Sequence, residues 1–505
     1  MAKIKQTQKL EAALFSAADK LRKNIDAAEY KHIVLGLVFL KYISDSFESL
    51  HKELLSQNED AEDKDEYIAK NIFFVPQDSR WSALLSKAKS PQIGKDLDYA
   101  LDLIEKDNPQ LKGVLPKVYA KDNLDSATLG DLINLIDSIS LNQENTSDIL
   151  GHIFEYFLGE FALSEGKKGG QFYTPKSVVE LLVAMLEPYN GRVFDPCCGS
   201  GGMFVQSERF VREHQGKISD ISIYGQESNQ TTWRLAKMNL ALRKIDSSSL
   251  KWNSEGSFLN DAHKDLKADF IIANPPFNAT DWGSQALEND VRWQYGTPPS
   301  TNANYAWISH FIHHLAPKGR AGFVLAKGSL TSNTSTEGQI RKNLIESNLI
   351  ECIVNLPAKL FLNTQIPACL WFIKRNKSHN NTLFIDARNL GELINRKNRI
   401  LTQSDIAKIT ETYHKWQKAQ DQKDGDYSDI LGFCKSVSKE EIANLGYVLT
   451  PGRYVGLAED DEDFDFEREF TRLKAELESQ IKEERILSEK ILNNLEIIGG
   501  NENIS

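Results

Sequence analysis

The stretch Ala268-Asp-Phe-Ile-Ile-Ala-Asn-Pro-Pro-Phe277 decides how the rest of this chain is read. Phe270 to Ala273 is a short apolar run of the kind that forms a buried strand. Pro275 has no N–H to donate and biases Asn274 away from helix, so the strand stops there. Pro275 and Pro276 together hold Asn274 and Phe277 on a stiff turn at a strand end, where open α/β sheets bind their ligands. This turn suits one chemical problem. An amino nitrogen conjugated to a ring or carbonyl has a delocalised lone pair and is a poor nucleophile. The side-chain oxygen of Asn274 can accept one of its hydrogens and the Pro275 carbonyl the other. Held this way, the nitrogen moves towards sp³ and its lone pair can point at an electrophile. Fixed acceptors in a dry site suffice, with no strong base. Phe277 supplies a flat apolar face on which a planar base can stack.

Working upstream, Arg192-Val-Phe-Asp195-Pro-Cys-Cys-Gly199-Ser200-Gly201-Gly202 reads as a strand, an acid at its end, a glycine turn and a helix from Met203. Glycines let a backbone pass close to a ligand. Their spacing departs from Gly-x-Gly-x-x-Gly, which disfavours a dinucleotide. Ile221 to Tyr224 is a second strand, and Glu227 follows it where this architecture grips ribose hydroxyls. A helix over Thr231 to Lys244 leads to Phe258-Leu-Asn260-Asp261, a further strand-end acid. Singly, Glu227 and Asp261 are ordinary surface acids; recurring at strand ends ahead of Asn274, they converge on one crevice. Further back, a helix over Thr146 to Ala162 ends in a glycine-rich loop and then Gln171-Phe172-Tyr173-Thr174-Pro175-Lys176. Thr174 is a good N-cap and Pro175 a good first helical residue, and such a helix start can approach a ligand closely.

Downstream, Asn278 to Asn304 is a long polar loop with Trp282, Trp293 and Tyr295; a loop of that length is functional or disordered. The helix Tyr305 to Leu315 presents His310, His313 and His314, read as structural or surface histidines because no His-Glu-x-x-His pattern or nearby acid supports a metal. Strands at Gly322–Leu325, Ile350–Val354 and Ala368–Ile373 complete an alternating α/β pattern.

The outer segments have a different texture. Residues 1–145 read as a helical N-terminal domain, with Leu10, Leu14, Ala17, Ala18 and Leu21 on one helix and Ile33, Leu37, Leu40 and Phe47 on a second opened by Asp26-Ala-Ala-Glu29. An acidic run from Glu59 to Glu66 reads as exposed loop. Residues 146–376 are expected to form the catalytic domain, 377–455 a C-terminal α/β-to-helical extension, and 456–505 an acidic segment and a partner-binding helix. Phe470, Leu473, Leu477, Leu487, Ile491 and Leu495 lie on one side of that helix, with the heptad broken near Gln480 and Glu484, so a surface helix packing on its own domain competes evenly with a partner-binding coiled coil.

Over 505 residues the net charge is −11, so this is not a basic protein that coats nucleic acid by itself. The longest apolar run, Ile33 to Leu40, is far shorter than the ~20 residues of a membrane span, and Met-Ala-Lys-Ile-Lys-Gln has no apolar signal core. The five cysteines (Cys197, Cys198, Cys352, Cys369, Cys434) show no Cys-x-x-Cys spacing, which implies a reduced, cytoplasmic protein without structural zinc.

Taken together, these residues resemble the modification (M) subunit of type I restriction–modification systems, an adenine-N6 DNA methyltransferase. The resemblance covers nearly the whole chain. It includes Ala18–Arg22, Glu29–Gly36, the Asp148–Phe157 helix, Gln171–Lys176, Asp195–Gly202, Asn274–Phe277 and Gly446–Tyr454. It implies a helical N-terminal domain, a Rossmann-like methyltransferase sheet and a helical C-terminal tail. It also implies S-adenosylmethionine as cofactor, bound by the segment around Tyr173, the glycine turn and Glu227. On this reading Asp195 with Gly199 to Gly202 takes the methionine end, Glu227 the ribose and Asp261 the adenine amino group. The target adenine leaves double-stranded DNA and stacks on Phe277. Implied partners are a specificity (S) subunit, typically with two M subunits, and a restriction (R) subunit in the full nuclease. Cys197 and Cys198 depart from the small or apolar residues that also occur there, a departure expected to be tolerated. The rivals are a protein glutamine methyltransferase, which uses the same turn on a planar amide, and a non-catalytic assembly subunit; the intact Asp195, Glu227 and Asn274 argue against the second.

Overall fold

The structure, a computed structural model, describes residues 11, 12, 14–20, 22, 25–121, 124–138, 146–165, 174–361, 366–396, 398–422, 426–456 and 466–500. It divides into two compact units, 1–430 with 434–455, and 431–433 with 456–505.

The apolar run that is too short for a membrane forms the middle of α1 (Ala27–Ser56). From Ile33 to Ser44 every residue is buried. A helix apolar on all sides belongs inside a bundle, and α2 (Ile93–Asp107), α3 (Ser126–Asp137) and α4 (Thr146–Glu165) are its neighbours. The Tyr119 hydroxyl donates to the Ile33 carbonyl at 3.0 Å. Ile153, Phe154, Phe157, Leu158 and Phe161 of α4 belong to this helical core, although the sequence boundary at 145/146 assigns α4 to the catalytic domain. The acidic run is not all loop, because Asp63 caps a short helix, Lys64–Ala69. Among the described residues no helix is long and apolar enough to cross a membrane. Leu10 and Leu21 lie outside the described residues.

The rest of the first unit is a nine-stranded sheet. Its strands are β1 (Gly191–Asp195), β2 (Ile221–Glu227), β3 (Leu250–Trp252), β4 (Ala268–Ala273), β5 (Leu315–Ala326), β6 (Ile350–Asn355), β7 (Ala368–Lys374), β8 (Thr382–Asp386) and, after the separate β9–β10 hairpin (Glu392–Leu393, Arg399–Ile400), β11 (Cys434–Val437). The order is β11-β8-β6-β7-β5-β4-β1-β2-β3. From β5 to β3 all pairs are parallel; β7 runs antiparallel between β5 and β6. The strands β6, β7 and β8 are buried along almost their whole length, which explains their continuous apolar runs. Because β8 and β11 belong to this sheet, the stretch 377–455 is continuous with it rather than an extension beyond it.

Helices cover both faces. The helices α5 (Lys176–Leu186) and α6 (Gly202–Glu213) pack together, α7 (Gln230–Ala241) joins the N-terminal core through Leu235 and Met238, and α8 (Asn304–His314) with α9 (Glu337–Glu346) covers the Ile271, Phe323 and Trp371 side. A further helix, α10 (Gln403–Gln422), packs on α5. The chain crosses between β1 and β4, so the ends of these two strands open the crevice.

The second unit is dominated by α11 (Phe466–Gly500). Phe470, Leu473, Leu477, Ile481, Leu487, Ile491 and Leu492 are 47 to 61 % exposed along it.

Candidate active site

Asp195 and Asn274 stand at the C-terminal ends of adjacent parallel strands, and Glu227 ends the next strand out. Between them a crevice opens in two lobes that share Cys197, Gly199 and Asn274. The smaller, of about 80 Å³, is lined by Thr174, Lys176, Asp195, Gly199, Ser200, Gly202 and Asn274, with Glu155 and Leu158 reaching in from α4. The larger, of about 410 Å³, is lined by Glu227, Ser228, Asn229, Gly256 to Leu259, Pro276, Asp281, Trp282 and Trp307.

The glycine turn is held open by its backbone. Gly199 has φ +53°, and a Cβ there would meet nothing within 4 Å, so the chain leaves room for a ligand. Gly201, at φ +78°, caps α6. The Asn239 side chain donates to the Ser200 carbonyl at 2.8 Å, fixing the turn from α7. Glu227 ties the two lobes together. Its carboxylate accepts the Gly199 N–H at 3.0 Å and the Asn229 N–H at 2.8 Å. Burial pushes its carboxyl upward against those two backbone donors.

Asp195 is 2 % exposed and accepts the Cys197 N–H at 3.0 Å. Burial raises its pKa to about 7, Cys197 opposes the shift, and the charge of Glu227 adds to it. The Cys197 thiol, 3.4 Å from the same carboxylate, is pushed well above its usual range by burial and then by Asp195. Two acids in one crevice favour a ligand that carries positive charge.

Asn274 differs from its neighbours in its bonding. Its Nδ2 donates to the Thr174 hydroxyl at 2.8 Å. Its Oδ1 is buried and has no hydrogen-bond partner among the described residues. A buried carbonyl oxygen without a donor is costly in a finished fold, and this one stands where the two lobes meet. Thr174 is therefore not the helix cap that the sequence suggests. Pro175 occupies the cap position of α5 without a side-chain bond, and the threonine hydroxyl meets the Asn274 amide instead. Gln171, Phe172 and Tyr173 lie outside the described residues.

Two expected roles change. Phe277 is 7 % exposed and meets the edge of Phe361 at 5.8 Å, so its ring is enclosed rather than an open platform. Asn278, next along, exchanges hydrogen bonds with Asn304 at 3.0 and 2.8 Å, locking the end of the turn onto α8. Asp261 does not line the crevice and does not end a strand. The segment expected as strand is a single helical turn, Gly256–Leu259. Gln226 holds the following loop through the Asn260 carbonyl and the Ala262 N–H, and Asp261 turns to His314 Nε2 at 2.8 Å. Burial opposes its ionisation, but the His314 bond and the neighbouring imidazoles outweigh it and hold the carboxyl low. An acid so committed is poorly placed to read an adenine amino group.

Asp261, His310 and His314 each bring a potential metal-ligand atom within 4.8 Å of the others, so an acid does accompany the histidines. An Arg292 N–H faces His310 Nδ1 at 3.1 Å. Nδ1 is then the acceptor, and Nε2 carries the proton and has no lone pair for a cation. Burial also lowers the His310 pKa well below its usual value.

Reading the sequence missed the aromatic wall of Phe258 and Trp307 and the pinning role of Asn239. The signal in the sequence was the tryptophan content of the loop 278–304, where Trp282 and Trp293 are both buried.

The N-6 DNA Methylase family model matches residues 145–463 and the HsdM N-terminal domain model residues 10–136. The chain is 47 % identical over 450 residues to the type I restriction enzyme HindI methylase subunit of Haemophilus influenzae, covering 84 % of this chain and 100 % of that one. It is 38 % identical over 520 residues to the MjaIX methylase subunit of Methanocaldococcus jannaschii, covering 98 % and 92 %. The type I restriction–modification methyltransferase subunit from Streptococcus thermophilus has the same fold, with TM-score 0.76 and 26 % identity over 89 % of this chain and 99 % of that one. With an Asn-Pro-Pro-Phe turn at the switch point of its sheet, this chain belongs to the N-6 DNA methylases, as the methylase subunit of a type I restriction–modification enzyme.

Proposed function

We propose that the chain binds S-adenosylmethionine across both lobes and methylates N6 of an adenine drawn out of double-stranded DNA, with its target chosen by a separate specificity subunit. The observation that carries this reading is the buried, unpartnered Asn274 Oδ1 at the junction of the lobes.

The residues present fit the cofactor. The smaller lobe offers Asp195 and the open backbone at Gly199 to the amino-acid end, and the larger offers the Glu227 carboxylate to ribose hydroxyls and an aromatic wall to adenine. Both lobes carry an acid, which suits a cationic ligand. When bound, the cofactor supplies a methyl group on a positively charged sulfur. The chain's task is then to present a nucleophile. Asn274 Oδ1 accepts one N6 hydrogen and the Pro275 carbonyl the other, while Thr174 keeps the amide from rotating away. Pro276 stiffens the turn. Phe277 receives the base only when its ring is uncovered from Phe361.

The chain has no large basic domain, and its net charge of −11 makes it a poor reader of DNA alone. The exposed apolar stripe on α11 supports a helix-to-helix contact with the specificity subunit; the assembly proposed has two methylase subunits sharing one specificity subunit and a restriction subunit joining the full nuclease. The test is titration calorimetry with S-adenosylmethionine and methyl transfer to DNA, with and without the specificity subunit. The full chain should bind cofactor alone and methylate only in the complex. Removing residues after Val455 should abolish assembly and leave cofactor binding intact. Sequence-specific methylation by the isolated chain would overturn this division of labour.

A further inference from the structure

Arg292 lies in the loop 278–304, is 7 % exposed and does not line the crevice. A guanidinium has five N–H donors, and each of these has an acceptor. Nε donates to Asp290 Oδ1 at 2.7 Å and Nη2 to Asp290 Oδ2 at 2.8 Å. Nη2 also donates to the Phe258 carbonyl at 2.7 Å. Nη1 donates to the Ser257 carbonyl at 3.3 Å and faces His310 Nδ1 at 3.1 Å.

The acceptors come from three places: the loop itself, α8, and the turn that walls the larger lobe. Burying a cation costs several kcal/mol unless its charge and donors are met; Asp290 meets the charge here, and the remaining donors all reach the wall or α8. The ends of the turn are held by Asn253, which accepts the Gly256 N–H, and by Gln226 and Asn253, which donate to the Asn260 carbonyl; Arg292 takes the two carbonyls between them. The Ser257 hydroxyl donates to the Pro196 carbonyl on the opposite side. The Phe258 ring packs 4.3 Å from Trp307 and 5.2 Å from Trp282, centroid to centroid. Moving the Ser257–Phe258 backbone therefore moves the aromatic surface that lines the lobe. Trp307 adds a second sign that this surface is built for a ligand: its Nε1 is buried with no partner among the described residues.

We infer that Arg292 is a positioning residue for the adenosine end of the cofactor, clamping the Ser257–Phe258 wall from behind and making the loop after the catalytic turn and the cofactor lobe one coupled unit. The inference rests on the reading of the larger lobe as an S-adenosylmethionine site. It gives the loop a role that its length and polarity did not reveal. Order in the loop 278–304 and cofactor affinity are then linked, and linkage is reciprocal. Lysine cannot substitute, because one ammonium cannot span acceptors arranged around a planar fork.

The test uses the full chain and its complex with the specificity subunit. Arg292→Lys and Arg292→Ala should raise the dissociation constant and KM for S-adenosylmethionine by about tenfold or more, within the usual range of coupling between sites. The kcat at saturating cofactor should stay within about threefold, since the Asn274 acceptor is untouched. Added guanidinium ion should restore part of the affinity of Arg292→Ala. A cavity variant in the helical domain, Val38→Ala, gives the effect of stability loss alone: a lower melting temperature without a change in cofactor affinity. Hydrogen exchange on the unmodified chain needs no variant, and S-adenosylmethionine should protect amides of 256–262 and 284–296 together. Arginine variants with unchanged affinity, an equal fall in kcat and affinity, or protection of 256–262 without 284–296 would each overturn the inference. Failure of the unmodified chain to bind S-adenosylmethionine would instead refute the cofactor reading beneath it.

Discussion

The smaller lobe is built around a glycine turn, Asp195, Gly199, Ser200 and Gly202, from one short run of sequence and is completed by Glu155, Thr174, Lys176 and Asn274, whereas the larger gathers Glu227, Phe258, Trp282 and Trp307 from four separate segments. In the first, the shape of the turn follows from local backbone: a strand end, two glycines at positive φ and a helix start. In the second, the shape follows from packing between an isolated helical turn, a long loop and α8, fastened by a buried arginine. A locally built turn is the less sensitive to distant change, because most of its geometry is set within a few bonds, although Asn239 and Glu227 fasten it from other elements. An assembled lobe is sensitive to substitutions that never touch the ligand. Asn274 stands between them and should be the most sensitive position of all.

Replacing Asn274 by Ala should lower methyl transfer by about 10²–10³-fold, the usual consequence of losing one fixed acceptor or donor at a reacting atom. Cofactor affinity should move by no more than a few-fold, measured by calorimetry beside the activity assay. A variant that has also lost cofactor binding would mean that Asn274 belongs to the lobes rather than to the reaction. Glu227→Ala should do the reverse, raising the dissociation constant for S-adenosylmethionine by roughly 10–100-fold through lost charge-assisted hydrogen bonds. Unchanged affinity there would dissolve the link between the lobes, since Glu227 also fastens the Gly199 N–H.

The two lobes should also differ in their response to pH. Asp195 has its pKa raised to about 7, so it is neutral below that pH and a carboxylate above it. A cationic ligand binds the carboxylate form, so affinity should weaken as pH falls through 7, approaching about tenfold per pH unit at full linkage. Asp195→Asn should flatten the profile between pH 6 and 8, and an equally steep profile in that variant would assign the titration elsewhere. The smallest effect is expected at Asp261. Asp261→Asn keeps an acceptor for His314 while removing the charge, so it should lower the melting temperature by a few degrees and leave cofactor affinity within about threefold. A larger loss of affinity would restore Asp261 as the partner of the cofactor adenine.

The strand ends and the two turns that frame the crevice were legible in the sequence. The Pro275-Pro276 pair stops β4 where expected, and Asp195 and Glu227 end β1 and β2. The failures have particular causes. Phe258 was read as strand because apolar residues in a short run do not distinguish strand from a helical turn. Thr174 was read as a cap because its hydroxyl suits one, and in the fold that hydroxyl meets Asn274, a hundred residues away, instead. The helix α1 was legible from the spacing of Ile33, Leu37, Leu40 and Phe47, but its enclosure on every side was not, since burial of the remaining faces is decided by the helices packed around it.

The sequence by itself determined where the strands stop, which acceptors stand at their ends, and where glycine lets backbone approach a ligand. These properties depend on covalent structure and on neighbours a few residues apart. Tertiary structure alone decided which acids face the crevice, that Asp261 turns to His314, and that Arg292 fastens the aromatic wall. Those outcomes depend on which buried polar groups find one another when distant segments pack, and each buried donor or acceptor must be met by whatever the fold brings beside it.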